Sequence, residues 1–576
     1  MAGFRVVAVS HREGLRPNIS RRAEKRFLIP TTMGRQFPTG GDTPVRALRR
    51  RAAHLSKDRN AVERRRMRTP RRRSSREPFV AQPINGECHP KRLGPVAPAP
   101  NLLVTAALWL LMLLSATLPF FIGGVSGMGD LWFNTLGWCA VALWVGGLYQ
   151  QRRFPSVSLW VAAPLGMVFL VGALATLNAE FAFDGPFSGF TASVAKGWLP
   201  SSVDAGASLS ALRHWALLGA LFSMSSDFCA ERTHCDLYRN CLTVAGFVQI
   251  GVALGQRLSD ARSILGGGWG EQLPFFGTFI YPGSAGAYLN LLLPLFCLHF
   301  FAKTQRPFVG IAGLAGLGVA VFWNTSRLSS LVGVCTGTLL LLTLGTVAWQ
   351  KAEKEKVRAA LFLSRHAWRP VLVSAILVGG LALMVFPVPP LFEKWRLLPT
   401  QWNTAYPRFE AMKACWEICR DAGAWGFGLG TFASVFPHYS HEMAVSARGV
   451  WRHAHCDYLE WFIEWGYLGC LLWSFLPLGA LVRVCGRYFQ EKSAHRRSEA
   501  ACTGAALLAL GLHALGDFPV FNPGVQVLAV FWLGNAWSAR VPSTGPDLRK
   551  AQGKRKGSLK EAVLINCRFT SIRTPV

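Results

Sequence analysis

The chain has 576 residues, of which 51% are hydrophobic, and a mean hydropathy of +0.26. This composition excludes an ordinary soluble globular protein, because the apolar residues are collected into many separate runs. The net charge of +31 could indicate nucleic-acid binding. Its distribution argues against that function, since residues 1–100 hold 24 Lys and Arg residues against 7 Asp and Glu residues.

The N-terminal segment, residues 1–101, is rich in Arg, Pro and Ser and has no apolar periodicity. We predict a basic, disordered cytoplasmic tail here. It either binds anionic lipid headgroups or is an extension without a role. Near its start it lacks the short apolar core of a signal peptide.

Residues 102–540 contain the apolar runs, and about 20 apolar residues are enough to cross a bilayer core. They predict an all-α fold, a polytopic integral membrane helical bundle of about 12 transmembrane helices with a large external loop. The candidate runs are 102–121, 131–149, 158–177, 209–227, 240–256, 284–302, 308–323, 328–349, 370–388, 456–481, 500–516 and 520–538.

Lys and Arg residues concentrate in alternate short loops between these runs, which is the pattern of cytoplasmic loops in membrane proteins. It predicts that both termini are cytoplasmic and that residues 541–576 form a second basic tail. Seventeen Lys and Arg residues lie in the loops near 150–157, 228–239, 303–307, 351–369 and 483–499.

The largest loop, about 389–455, is external by the same alternation. Within it, residues 407–420 have the spacing of an amphipathic helix, with Phe409, Met412, Trp416 and Cys419 on its apolar face. We expect this helix to lie on the membrane or to cap the bundle. The glycines of 426–430 then indicate a tight turn rather than a nucleotide-binding loop, since no strand precedes them.

Ionisable side chains continue from this loop into the start of the tenth run, where they are costly and therefore mark a candidate functional site. They are His455, Asp457, Glu460 and Glu464.

Four arginines are predicted at the external face, where the charge rule disfavours them: Arg213, Arg327, Arg408 and Arg452. An anionic ligand would explain them, because the guanidinium group is permanently charged and binds phosphate through two parallel hydrogen bonds. Each could instead extend toward lipid headgroups. Asp517 lies outside the eleventh run and is either part of the site or a helix-end cap. A metal site formed by His438, His441, His453 and His455 is disfavoured, because their spacing matches no common zinc pattern.

These motifs, in this order, resemble the bacterial O-antigen ligase and polymerase family. The resemblance runs from about 275 to 535 and covers five elements. The first four are Phe276-Gly-Thr-Phe279, Thr325-Ser-Arg327, the loop from Arg408 to Phe432, and His455-Cys-Asp-Tyr-Leu459 with Glu464-Trp-Gly466. His513 and Asp517-Phe-Pro519 resemble the late His…Asp-Phe element. Cys456, Tyr281 and Gly283 depart from the family, which usually carries asparagine there.

The resemblance implies a bacterial inner-membrane enzyme without metal, nucleotide or other cofactor. It would transfer a glycan from a polyprenyl-pyrophosphate carrier to an acceptor hydroxyl on the external face. His455 would be catalytic. Arg327 and Arg408, with Arg213, would bind the pyrophosphate, and Asp457, Glu464 and Asp517 would support them. The partners would be the lipid-linked glycan, a lipid, glycan or protein acceptor and membrane lipids, with no nucleic acid.

Three alternatives remain open. The acceptor could be a protein, which would make the enzyme a protein O-oligosaccharyltransferase. The chain could instead be a transporter or flippase of lipid-linked glycans, or a non-catalytic scaffold. A transporter is expected to place its charges along a path near the bilayer midplane and often contains inverted repeats. The notable charges here cluster at one predicted face.

Overall fold

The computed structural model describes residues 101–183, 190–192, 195–268, 275–301, 307–324, 326–356, 402–440 and 451–539. Both predicted tails lie outside these residues, apart from Asn101. So do the predicted run at 370–388 and the parts of the external loop at 389–401 and 441–450.

Within the described ranges the backbone forms thirteen α-helices and one short antiparallel hairpin. In chain order the helices are α1 (Leu102–Thr117), α2 (Gly127–Gln150), α3 (Leu159–Leu177), α4 (Ala205–Ala230), α5 (Arg232–Leu258), α6 (Pro282–Phe301), α7 (Pro307–Trp323), α8 (Arg327–Lys356), α9 (Trp402–Asp421), α10 (Phe432–Ser440), α11 (Asp457–Gln490), α12 (Ala494–His513) and α13 (Pro523–Trp537). The hairpin pairs β1 (Phe181–Phe183) with β2 (Phe190–Ala192).

Every predicted apolar run that falls within the described residues coincides with a helix, which confirms a helical bundle. Six helical segments are long and apolar enough to cross a membrane: Leu102–Phe120, α2, α3, α5, Arg327–Gln350 and α11. The count of twelve spans and the external position of the long loop stay predictions.

The helices are apolar on their outer as well as their inner surfaces. On α8, Leu340 and Leu344 are buried, whereas Leu341 and Leu342 are largely exposed. A helix that is apolar all round suits a lipid environment, because hydrocarbon tails can cover the outward-facing side chains. Inside, large side chains fill the bundle, and Tyr238 on α5 places its hydroxyl 2.7 Å from Ser115 Oγ on α1.

A second, smaller core lies beneath α9 and α10 and joins them to the start of α11. Ala411, Cys415 and Ile418 on α9 are fully buried against Phe436 on α10 and Ile463 on α11. The small side chains let the helix backbones approach closely.

On the predicted apolar face of α9, Cys419 is buried, Met412 is half-buried and Trp416 is 58% exposed. Small residues instead form most of the buried face of this helix, together with Ile418 and Cys419.

Helix α11 is interrupted at Gly466, whose φ of 63° and ψ of −169° are not helical. Such a break frees backbone groups that must find other partners inside a membrane protein. The glycine-rich loop between α9 and α10 supplies them, and positive φ angles at Gly423, Gly426, Gly428 and Gly430 allow its path. Four backbone hydrogen bonds join the two segments: Phe427 N to Ile463 O (2.9 Å), Gly428 N to Glu464 O (3.1 Å), Tyr467 N to Gly423 O (3.2 Å) and Leu468 N to Ala424 O (3.1 Å).

We predict that Gly466→Ala destabilises the protein by at least about 1–3 kcal/mol, the usual strain of a backbone conformation accessible mainly to glycine. A Cβ there would also clash with the backbone of Ala424 and Gly426. The midpoint of thermal unfolding in detergent would measure the loss. The matched control is Gly337→Ala on α8, where a Cβ meets nothing within 4 Å and the change should be neutral or stabilising. Equal midpoints for the two variants would contradict the prediction.

Candidate functional site

Asp457 ties the start of α11 to the loop that follows α12. Its backbone N–H donates to Ala514 O at 3.0 Å, and its carboxylate Oδ2 accepts from Val520 N at 3.1 Å. Both contacts hold residues 453–457 against residues 514–520. Asp457 therefore positions the site, and its burial at 1% exposure keeps it away from any substrate.

His455 and His513 lie on either side of the Asp517 carboxylate. His455 Nδ1 is 3.8 Å from Oδ1, and His513 Nε2 is 3.7 Å from Oδ2. These are ion-pair rather than hydrogen-bond distances. His455 has a φ of +52°, an uncommon conformation for a residue other than glycine. Because Nδ1 faces Asp517, Nε2 of His455 is the nitrogen left for a substrate.

Asp517 is almost completely buried. Burial alone would raise the pKa of Asp517, but interactions with His455 and His513 and the Phe518 N–H lower it to about 2. The carboxylate is therefore ionised at neutral pH and can hold the adjacent imidazole rings in place. Asp517 does not cap α12, which ends at His513 with Ala514 at its cap.

Aromatic rings surround the imidazole of His455. Trp451 and Phe518 meet it edge-on at centroid distances of 5.3 and 4.9 Å. Tyr281 lies 6.1 Å from the same ring and stacks on Phe518 at 4.9 Å with an interplanar angle of 17°. These rings restrict the orientation of His455 without competing for its nitrogens.

Tyr281 connects the histidine with Arg408. The Arg408 Nη2 donates to the Tyr281 hydroxyl at 3.4 Å, and the Arg408 side chain is otherwise exposed. Burial and the neighbouring Asp517 carboxylate raise the pKa of Tyr281, so the phenol keeps its proton. Gly283 leaves room for this arrangement, because a Cβ there would clash with Asp517 and Tyr281.

Arg327 begins α8 beside the same region. In the preceding turn, Asn324 donates from Nδ2 to Pro282 O at 2.9 Å. Leu328, which follows Arg327, lies close to Gly516, the residue immediately before Asp517. The structure thus brings the start of α8 to the Asp517 loop.

Arg213 lies on α4 and is exposed. Its neighbour His214 bonds to Gln526 at 2.8 Å, and Gln526 Nε2 donates to Val520 O at 2.7 Å. These contacts place α4 beside the same loop. No contact in the described residues joins Arg213 to His455 or Arg408.

Glu464 has a structural position. It is 3% exposed, and its Oε1 accepts the Phe432 N–H at 3.4 Å, at the first residue of α10. A carboxyl oxygen at this end of a helix can accept from the unpaired N–H groups of the first turn. Glu464 therefore anchors α10 to α11.

Glu460, one of the four ionisable residues that mark the candidate site in the sequence, positions the histidine segment. Its two carboxylate oxygens contact His453 Nδ1 at 2.9 Å and accept from Ala454 N at 2.8 Å. A carboxylate six residues after a backbone donor has no general motif, so the sequence held no clear signal for the pair. Tyr281 was noted only as a departure from the family pattern. Among the described residues, no group of three or more His, Cys, Asp and Glu side chains is arranged to hold a metal ion.

We predict that Asp517→Asn lowers the free energy of unfolding at neutral pH by about 2 kcal/mol, the linkage value for a carboxyl pKa shifted from 3.8 to about 2. Because the folded pKa lies below the unfolded one, this stabilisation is present above about pH 4 and disappears as the pH falls toward 2. Thermal unfolding midpoints of both proteins should therefore converge over that window. A constant difference from pH 7 to pH 2 would contradict the assignment.

Comparison with protein-family models matches residues 275–474 to the family described as O-antigen ligase. No curated protein matches the chain. The matched segment is about a third of the chain and contains Arg327, Arg408 and His455, whereas Arg213 and Asp517 lie outside it. The match, with the apolar helices, supports a membrane protein of polysaccharide biosynthesis. It confirms the resemblance found in the sequence: residues 275–474 of this chain match the O-antigen ligase family model.

Proposed function

We propose that this protein transfers a glycan from a polyprenyl-pyrophosphate carrier to an acceptor hydroxyl, as an O-antigen ligase or a polysaccharide polymerase. The proposal includes twelve spans, cytoplasmic termini and a site on the external face of the bacterial inner membrane. In this proposal residues 102–540 form the transmembrane domain, residues 1–101 and 541–576 form the two basic tails, and the reaction needs no metal or cofactor. The family match over 275–474 supports a membrane glycosyltransferase of this type.

One observation carries the proposal: a candidate base and a candidate anion ligand meet at the same side chain, Tyr281. His455 lies 6.1 Å from the Tyr281 ring, and Arg408 donates to its hydroxyl at 3.4 Å. A glycosyl transfer of this kind needs both groups, since a proton leaves the acceptor while negative charge develops on the leaving pyrophosphate.

The reaction follows from these positions. His455 Nε2 removes the proton of the acceptor hydroxyl, and the oxygen attacks the anomeric carbon of the donor sugar. The bond from that carbon to the pyrophosphate oxygen breaks, and polyprenyl pyrophosphate leaves with the electron pair. Arg408 and Arg327 stabilise its charge, and Arg213 contributes from α4. Asp517 orients the imidazole through Nδ1 and stabilises its protonated form.

A protein acceptor is compatible with the same chemistry, because only the hydroxyl reacts. Transfer to a peptide rather than to a lipid or glycan would identify that activity. A flippase is disfavoured by the grouping of His455, Asp517, Tyr281 and Arg408 at one end of α11 and α12. Transbilayer movement of the donor without any transfer would overturn the enzyme proposal.

We predict that His455→Ala lowers the rate of transfer by about 10²–10⁴-fold, the usual contribution of a general base. Donor binding should change little, because the imidazole acts on the acceptor. Transfer by the purified protein from a lipid-linked glycan would measure the rate. His453→Ala should cost less, since His453 contacts Glu460 rather than Asp517. His438→Ala on α10, an exposed histidine, is the control. Full activity in a folded His455→Ala variant would remove the proposed base.

We predict that Arg408→Ala and Arg327→Ala each lower kcat/KM for the donor by about 10²–10³-fold, as expected when a group that stabilises transition-state charge is lost. Arg→Lys should restore only part of the activity, because an ammonium group lacks the two-pronged geometry. Arg257→Ala, at an exposed arginine at the end of α5, controls for general loss of positive charge. Normal transfer by both folded alanine variants would show that these arginines do not hold the pyrophosphate.

A further inference from the structure

Helix α9 presents an exposed face that begins at the candidate site and continues away from it. Arg408, Met412, Trp416 and Arg420 recur at intervals of four residues, so each side chain neighbours the next on the helix surface. Trp416, Arg408 and Arg420 are exposed, and Met412 is half-buried. At 1.5 Å per residue, this face is about 18 Å long. We call it the α9 stripe.

A shallow cavity of about 520 Å³ lies along the α9 stripe. It is lined by Met412, Lys413, Trp416, Glu417, Arg420 and Leu459. Its outer wall is α9, and Leu459 closes it from α11. Cys419 Sγ lies 3.7 Å from Leu459 O and holds the two helices together at this point. Leu459 follows His455 by four residues in the chain, and Met412 lies one turn after Arg408 on α9, so the cavity is near the candidate site.

The side chains of this cavity suit a carbohydrate. The exposed ring of Trp416 offers a flat apolar surface on which the C–H face of a sugar ring can pack. Lys413, Glu417 and Arg420 supply hydrogen-bond donors and acceptors around it for hydroxyl groups. An aromatic platform with a few polar groups at its edge is a usual design for small polar ligands.

Insertion of Trp416 into the membrane interface fits less well. A helix that lies in a bilayer surface buries a continuous apolar face among the headgroups. Here the exposed indole is flanked by the exposed charges of Lys413, Glu417 and Arg420, while the apolar face of α9 is used by Ala411, Cys415 and Ile418 within the protein.

We propose that the α9 stripe binds the glycan of the lipid-linked donor, with one of its sugar rings stacked on Trp416. This inference rests on the proposed function, because it is Arg408 that identifies the occupant. If Arg408 holds the pyrophosphate, the first sugar attached to that pyrophosphate lies beside Arg408, at the start of the α9 stripe. Sugars further along the chain then reach Trp416 and Arg420.

The test compares two donors with wild-type protein and Trp416→Ala in lipid nanodiscs. One donor carries a long glycan on polyprenyl pyrophosphate, and the other carries a single sugar. Trp416→Ala should raise KM for the long donor about three- to tenfold, the range of an aromatic stacking contact. KM for the single-sugar donor and KM for the acceptor should not change. Trp416→Phe, which keeps a flat ring, should restore much of the loss.

Trp109→Ala on α1 is the matched control, because Trp109 is 57% exposed and lies in an apolar helix. It should leave both donors unaffected. An equal effect of Trp416→Ala on the two donors would assign Trp416 a structural role and overturn the inference. A change confined to KM for the acceptor would assign the α9 stripe to the acceptor instead and would also overturn it. If wild-type protein transfers neither donor, the proposed function itself fails, and the inference fails with it.

Discussion

The hydrogen bonds across the break in α11 determine where the rest of the candidate site lies. An unbroken helix would satisfy its own backbone and leave the glycine-rich loop without partners. The break at Gly466 instead exposes groups that bind residues 423–428, so α9 and α10 are fixed against α11 through backbone contacts. Since α9 carries Arg408 and Trp416, this join sets the position of the proposed anion ligand and of the α9 stripe relative to His455.

The carboxylates near the start of α11 have separate tasks, although the sequence presents them as one group. Burying a polar carboxyl group without a hydrogen-bond partner is costly, and each of these three groups has at least one. Asp457 binds the loop at 514–520, Glu460 binds the segment before α11, and Glu464 binds the start of α10. Among the described carboxyl groups, it is Asp517, after α12, that faces the proposed base. The buried carboxyl groups of α11 therefore hold the scaffold together, and the proposed base lies at its edge.

The sequence predicted the helices well because each apolar run is long and distinct, and every run within the described residues became a helix. It also placed His455, Asp517 and Arg408 in one region. It predicted an amphipathic helix at α9 and left open whether its apolar face meets the membrane or the bundle. In the structure small residues pack α9 on its neighbours, so Ala411 and Cys415 are inside and Trp416 is outside. Contacts such as Tyr281 to Arg408 could not be predicted, because they join residues more than 120 positions apart.

The site also crosses the limit of the recognised domain. His455 and Arg408 lie within the segment matched to the O-antigen ligase family, whereas Asp517, His513 and Phe518 lie beyond its end at 474. Yet Asp517 contacts His455, and Phe518 stacks on Tyr281, a residue of the matched segment. Removing residues after 474 would leave the histidine without its carboxylate and Tyr281 without its stacking partner. The candidate site is therefore larger than the matched segment and includes α12 and the loop that follows it.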